Sequence, residues 1–534
     1  MSVWRKKILQ KNKERHLSSF SSVLGLSQKG MIAFMKRYIA LSIAVFVLLI
    51  VLLSCGDKTT ENLADDENPL NTAAESGIEP EIVSGDETKR FMRIDPELPM
   101  EDFGGYEFNI LHWYVAGWGI DDCDDIVVEE LNGDVFNDAV FNRDKTIEDK
   151  YNIEIKLIRM DVTEMHNTVR KTISAGDDVY DLIYQRLHDV MPLVSGGMFY
   201  DLNNIPNVNF DMPWWDKRSV DELSLGKKVY IAVSDISTSS QKAIGCILFN
   251  KKLAQDYAFE NLYDVVERGD WTFDYMTEIC KNIAKDLNGD GILDNNDFIP
   301  FVSGDFLTTM LFNGSGGKFS GKDENDMPVY IFNTERNINI CNKILDFMYN
   351  PQLCLNGDAI NFGGNTHTEM FKNNQGIFTM AQMQYVRDFR ELEVDFGILP
   401  APKYDKNQKE YFSTLSVHQS GLVAVPITAR NTERTGIVLE ALSAESRYTV
   451  QPAYYDISLK GKYVRDDESA DMLDVLFNSR LYDLAELGHF GLFEMEWLRM
   501  VSNGNRDIVS LYEKYAPRIQ SDIDKLITAL EKLD

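Results

Sequence analysis

From residue 104 onward the chain alternates short β-type and α-type segments, which restricts it to an α/β architecture. "GGYEFNILHWY" (104–114) sets aromatic and β-branched residues after a Gly-Gly turn and reads as a first strand. "AVFNRDKTIEDKY" (139–151) has helical spacing, and "NIEIKLIRM" (152–160) alternates as a strand. "TVRKTISAG" (168–176) is a helix stopped by glycine, and "YDLIYQ" (180–185) is a buried strand. The rhythm returns with strands expected in "KVYIAVS" (228–234), "DFGILPAP" (395–402) and "SGLVAVP" (420–426). "AIGCILFNKKLAQDY" (243–257) runs from strand into helix, and "TGIVLEALSA" (435–444) is a helix. Beyond about residue 463 strands give way to amphipathic helices, in "ADMLDVLFNSRLYDLAEL" and "VSLYEKYAPRIQSDIDKLITALEKL". No repeat of fixed period interrupts this order.

The folded part has a long approach. Lys36 and Arg37 precede an apolar run at 38–53, broken only by Ser42, and Leu52-Leu53-Ser54-Cys55 follows. A basic start, an apolar core and a small residue before the cut make a signal peptide over 35–54. The run is short for a membrane-spanning helix, which needs about 20 apolar residues. Leu52 to Cys55 resembles the bacterial lipobox, which implies lipidation of Cys55, palmitate included, and a membrane anchor. Residues 1–34 are basic and aperiodic and read as a mis-called extension. Residues 55–100 are polar and acidic and form a tether with too few apolar residues for a core.

The 534 residues, 44% of them hydrophobic, suffice for more than one domain, and the net charge is −30. The first 54 residues hold nine basic side chains and one acidic, so the mature surface is more negative still. Such a surface repels phosphates and excludes nucleic acid as a partner. Cys123, Cys246, Cys280, Cys341 and Cys354 show no zinc spacing. A Cys341–Cys354 bridge is one arrangement, and scattered buried thiols are the other.

"KDLNGDGILDNNDF" (285–298) is the most regular chemistry present. Asp286, Asn288, Asp290, the carbonyl of Ile292, Asp294 and Asp297 offer hard oxygens at the alternation Ca2+ requires, with Gly291 at the turn. Glu is usual at the last position, and the shorter Asp297 departs from that. A helix over "WTFDYMTEICKNIAKDL" precedes the loop, and the strand-like "FIPFVSG" follows it. A single loop without a second helix is a structural staple rather than a switch.

Catalytic motifs are missing: neither H-E-x-x-H nor G-x-S-x-G occurs, and Asp323 stands where a phosphate loop needs Ser or Thr. Aromatic residues with polar neighbours are plentiful. Trp113, Tyr114 and Trp118 end the first strand, and Trp214 and Trp215 follow a proline. Flat rings suit the apolar faces of sugars.

The lipobox, tether, α/β body and helical C-terminus resemble an extracellular solute-binding protein of bacterial ABC importers, of the maltose-binding-like family. The stretches that carry this resemblance include "YDLIYQRLHDVMPLVSGGMFYDLN", "CILFNKKLAQDY", "FGILPAPKYD" and the helix with the 285–298 loop. It implies a two-lobed, type II periplasmic-binding-protein-like fold with hinge strands near 234–241 and 421–424. Lobe 1 would hold 101–238 with 422–460, and lobe 2 would hold 239–421 with 461–534. It also implies a carbohydrate ligand, ABC permease transmembrane subunits as partners, a monomer, and no enzymatic activity. By position, Gln185, Asp235, Gln382, Tyr385 and Trp497 are the candidate ligand contacts, and Trp118 joins them on physical grounds. The alternative is a lipid-anchored polysaccharide-processing enzyme. A dockerin-like adhesion module would need two calcium repeats, and one is present.

Overall fold

The computed structural model describes residues 93–115, 125–304, 307–356, 366–390, 394–455 and 467–533. Cys55, Trp118, Cys123 and the signal peptide lie outside the described residues. Strand β1 (Tyr106–Tyr114) follows Gly104 and Gly105, both at positive φ, where glycine turns the chain without strain. The helix Val135–Tyr151 begins at Asp134, whose side chain accepts the amides of Phe136 and Asn137. It ends at Asn152 in the left-handed region, which turns the chain into β2 (Ile153–Asp161). The helix Val162–Ser174 leads on to β3 (Leu182–Arg186).

Strands β1, β2 and β3 are parallel, in register Tyr106↔Ile153 and Ile110↔Leu182. The fourth strand of this sheet comes much later in the chain. Gly421–Ala424 pairs antiparallel with β3, Gly421 opposite Arg186. The long helix Thr432–Tyr448 then packs on Val135–Tyr151. The approach at its start is so close that a Cβ on Gly436 would stand 1.8 Å from the Pro206 carbonyl oxygen.

The second sheet contains β4 (Gly245–Asn250), β5 (Phe301–Ser303), β8 (Cys354–Asn356), β9 (Phe378–Gln382) and β10 (Phe396–Leu399), in the order β10-β4-β9-β5-β8. A hairpin of β6 (Ser320–Lys322) and β7 (Pro328–Tyr330) projects beside it. The helices Asp467–Asn478 and Phe493–Ser502 and the final helix Ile508–Leu530 complete this half. Among the described residues no helix is long and apolar enough to cross a membrane.

Some of the sequence expectations need correction. Residues 228–234 form no strand. Ala232 exchanges both main-chain hydrogen bonds with Val423, but Val229 donates to the Asp201 carboxylate and Val233 to Ser219 Oγ. Their amides are taken by side chains, so no ladder extends. Residues 470–487 are not one helix. The chain leaves the helix at Asn478, and β13 (Arg480–Leu481) pairs parallel with β11 (Ser413–Thr414). Arg480 is held there by the Asp216 carboxylate at 3.0 Å, and Tyr482 donates to the same oxygen at 2.6 Å. Cys246, Cys280, Cys341 and Cys354 are all buried, and Cys341 and Cys354 form no bridge.

The chain passes between the sheets near residues 234–244 and 415–420, and these passages are bonded together. Asp125, fully buried, accepts from Ser237 Oγ, Thr238 N and Thr238 Oγ1 at 2.8–3.0 Å. Ser239 Oγ meets Tyr184 OH at 2.6 Å and accepts from Gly421 N at 3.1 Å. Gln451 donates to the carbonyls of Asp235 and Ser237.

A candidate ligand cleft between the lobes

Strand β3 ends at Arg186, and in open α/β sheets ligands sit beyond the carboxyl ends of the parallel strands. The next turn, Leu187–Asp189, is tied to the 415–420 passage: Leu187 N donates to Ser420 O and His188 N to Val417 O. This places His188 beside His418 from the passage and His489 from the C-terminal half. The ring centroids of His188 and His418 are 4.2 Å apart, and those of His188 and His489 are 4.4 Å apart. His489 occupies the left-handed region after the helix Leu484–Gly488, and its Nε2 donates to His188 O at 3.2 Å. His188 Nδ1 bonds Asp189 Oδ1 at 2.9 Å, and Arg186 Nε donates to the other oxygen at 2.6 Å.

These imidazoles line a cavity of about 240 Å3. Thr309 and Phe319 supply its wall from the second sheet's half, and Leu415, Ser416 and Val417 supply the floor from the passage. Glu486, Glu494, Met495, Trp497 and Leu498 close it from the C-terminal helices. Removal from water, then His188, Arg186 and His489, push His418 down to about 4. His489 is lowered by burial and by His188. Burial, then Asp483, pushes Glu486 up to about 8, and burial raises Glu494 well above the usual range. Burial also works against the charge of Asp189, yet His188 and Arg186 hold it below the ordinary carboxylate value. At neutral pH the wall is therefore rich in uncharged donors and acceptors. A larger depression, about 720 Å3, runs along Val135–Tyr151 and β2, but one lobe alone lines it, so two lobes cannot grip a solute there.

Of the residues singled out from sequence, Trp497 is part of this wall. It is fully buried, against Phe312 and Phe319 at 4.9 and 5.3 Å, and helps form the core under the cavity. Gln185 is buried in β3 opposite Leu422, with its Oε1 unbonded. Asp235 serves the frame rather than the cleft: Arg447 Nη1 bonds it at 2.9 Å, and burial raises it to about 6 despite that partner. Gln382 ends β9 and accepts from Gln384. Tyr385 is 40% exposed, and its hydroxyl accepts from Gln419 Nε2 at 3.3 Å, next to His418. Trp214 and Trp215 pack in the first lobe, both donating to Glu440. The three histidines and Glu486 and Glu494 were not anticipated. They lie up to 306 positions apart in sequence, and no local signal links them.

In the 285–298 loop, the preceding helix stops at Cys280, and Asn282 takes a positive φ. Lys285 and Phe298 exchange main-chain hydrogen bonds and close the base of the loop. Asp286 accepts from Gly289 and Gly291, Asp290 from Ile292, and Asp297 from Leu287 and Asp294. The donor set is chemically right for Ca2+, but among the described residues no three His, Cys, Asp or Glu side chains converge in a metal-holding group.

Two α/β lobes joined by bonded passages, with a cavity lined from both halves and from the passage between them, define a two-lobed periplasmic-binding-protein fold. The family model described as bacterial extracellular solute-binding protein matches residues 142–437, and the chain belongs to that family. It is a family of binding proteins that work on the extracytoplasmic side. UspC of M. tuberculosis has a similar structure, with a TM-score of 0.52 at 11% identity over 78% of this chain and 100% of that one. The galacto-N-biose-/lacto-N-biose I-binding protein of the Bifidobacterium longum ABC transporter gives 0.51 at 11% identity, over 79% of this chain and 99% of that one. No curated protein matches the chain by sequence.

Proposed function

We propose that the protein captures a sugar or short oligosaccharide between its lobes by hinge closure and delivers it to the permease subunits of an ABC importer. The observation that carries this is the cavity lined by His188, by His418 of the passage and by His489 of the C-terminal half. A solute touching all three favours the closed form over the open one, the differential affinity that closure requires. In this reading the protein is a monomer tethered through lipidated Cys55. Ca2+ staples the 285–298 loop, a role supported by its hard oxygens and by Gly291 at φ +80°. The polysaccharide-processing alternative is opposed by the cleft itself. Glycoside hydrolysis pairs a protonated carboxyl with an ionised one, whereas the two carboxyls among the described lining residues, Glu486 and Glu494, are both raised. The test is isothermal titration with a saccharide panel, followed by product analysis. Binding with the saccharide recovered intact is expected, and released hydrolysis products would overturn the binding-protein reading.

A further inference from the structure

We infer that the cleft buries one uncharged sugar ring and rejects rings that carry a carboxylate. This rests on the sugar-binding reading above and adds the charge and size of the solute. The cavity, about 240 Å3, lies below the roughly 300–1,000 Å3 that encloses drug-sized ligands, so it holds one ring, with further units leaving past the exposed Met495.

Among the described residues no Lys or Arg lines the cavity. The guanidinium of Arg186, two residues before His188, is engaged by Asp189 and cannot be spared for a ligand anion. An entering carboxylate would instead meet Glu486 and Glu494 and would lose its water without gaining a counter-charge, which is costly. A hydroxylated ring meets the opposite situation. Phe319 and Leu498 offer apolar surface to its face, while the imidazoles, Thr309 and Ser416 can donate or accept at its edge.

Glu494 adds an independent sign of a built site. The residue is 8% exposed; Tyr330 OH donates to its Oε1 at 3.4 Å, and its Oε2 is buried without a partner. Glu494 lines the cavity, and a ligand hydroxyl that turns its carboxyl toward the ring would satisfy that oxygen. The raised affinity of both glutamates for protons keeps them neutral when a neutral ring binds.

The test titrates the full-length protein with neutral hexoses and with the uronates of the same ring stereochemistry at pH 7. A bound hexose should exceed its uronate by about 100-fold in affinity. Glu494→Leu should lose about tenfold in hexose affinity, and Glu494→Gln, whose amide oxygen still accepts, should recover most of that loss. A uronate bound as tightly as its hexose overturns this inference and leaves sugar binding standing. Affinity that rises more than tenfold from mono- to trisaccharide overturns the one-ring limit. If no saccharide binds, the sugar reading falls and this inference with it.

Discussion

Asp326 stands where a turn from each lobe meets the other, and replacing it tests whether closure governs affinity. Its carbonyl accepts Gly226 N at 3.1 Å, its Oδ2 accepts Lys227 N at 2.9 Å, and its Oδ1 pairs with Lys322 Nζ at 2.8 Å. Lys322 also donates to Asp221 O and Ser224 Oγ, each at 2.6 Å. Gly226 and Lys227 both take positive φ, so their amides project together as an anion-binding nest. Asp326→Ala removes the side-chain bond to Lys227 and the partner of Lys322 but keeps the carbonyl contact. A hydrogen bond to a charged group contributes about 1.5–3 kcal/mol, and the 19% exposure of both side chains reduces this to about 1–2 kcal/mol. Asp326 itself has φ +63°, so alanine adds a further cost of about 1 kcal/mol. That second cost is paid in the open and closed forms alike and lowers stability only. The first weakens closure alone and should therefore weaken ligand affinity about 5- to 30-fold. Asp326→Asn, which keeps an acceptor and tolerates the left-handed conformation, should fall between wild type and alanine. Titration calorimetry gives the affinities, and small-angle scattering of the ligand-free protein should show the alanine variant more open. A folded alanine variant with affinity within twofold of wild type would refute the reasoning. Burial acts against the charge of Asp326, but Lys322, Ser224 and Lys227 lower its pKa overall. The clasp should therefore be intact above pH about 3.8 and fade as pH falls below that.

Three further outcomes are expected. Burial pushes Glu440 from 4.5 up to about 7, although Trp214, Trp215 and Asn209 donate to it. The stability it contributes is complete below pH 4.5 and is lost as pH rises through 7, a change of about 3 kcal/mol. Urea denaturation at pH 5 and 8 should show a smaller difference in Glu440→Gln than in wild type, and equal differences would contradict the assignment. A chelator should lower the thermal midpoint while saturating ligand binding persists, and Asp290→Ala should be insensitive to it; an unchanged wild-type midpoint rules out the staple. Cys55→Ser should move the protein from the membrane fraction to the soluble one, and a variant still sedimenting with membranes would mean another anchor.

Where local chemistry decided the outcome, the sequence was a sufficient guide. β1, β2 and β3 follow from alternation and from turns that need Gly104, Gly105 or Asn152. The strand at Gly421–Ala424 and the helix Thr432–Tyr448 are equally plain in their apolar patterns. Residues 228–234 carry a strand's composition, yet their amides are claimed by Asp201 and Ser219, which no periodicity reveals. The break after Asn478 has the same origin: Asp216, more than 260 positions earlier, holds both Arg480 and Tyr482. The cleft was the least legible part. Aromatic residues drew attention because they suit sugars, but Trp214, Trp215 and Trp497 are mainly core, as large apolar side chains usually are. The histidines, only seven in the chain, are ordinary in sequence and become a site when β3, the passage and the C-terminal turn meet.

That meeting point also explains how binding could be sensed without a long relay. Residues 415–418 line the cavity, and 415–420 form one of the passages between the lobes. Ser420 O and Val417 O receive the amides of Leu187 and His188, and Gly421 N bonds Ser239 of the other passage. A solute held by His418 is therefore held by the hinge itself, and one held by His188 is two residues past β3, the strand on which Gly421–Ala424 pairs. Coupling then needs only the bistable passage and contacts that differ between open and closed forms. The clasp at Asp326 joins the 225–228 turn to the turn of the β6–β7 hairpin, whose other end reaches the cavity through Phe319 and Tyr330. It adds a second, ligand-independent weight to the same equilibrium. Loss of the clasp and loss of a cleft contact outside the hairpin, such as His418→Ala, should therefore be nearly additive in binding free energy, because they act at separated sites on one two-state motion. Asp326→Ala and Glu494→Leu should instead couple, because Tyr330 of the hairpin bonds Glu494, and additivity in that pair would mean that the hairpin moves independently of the cavity wall.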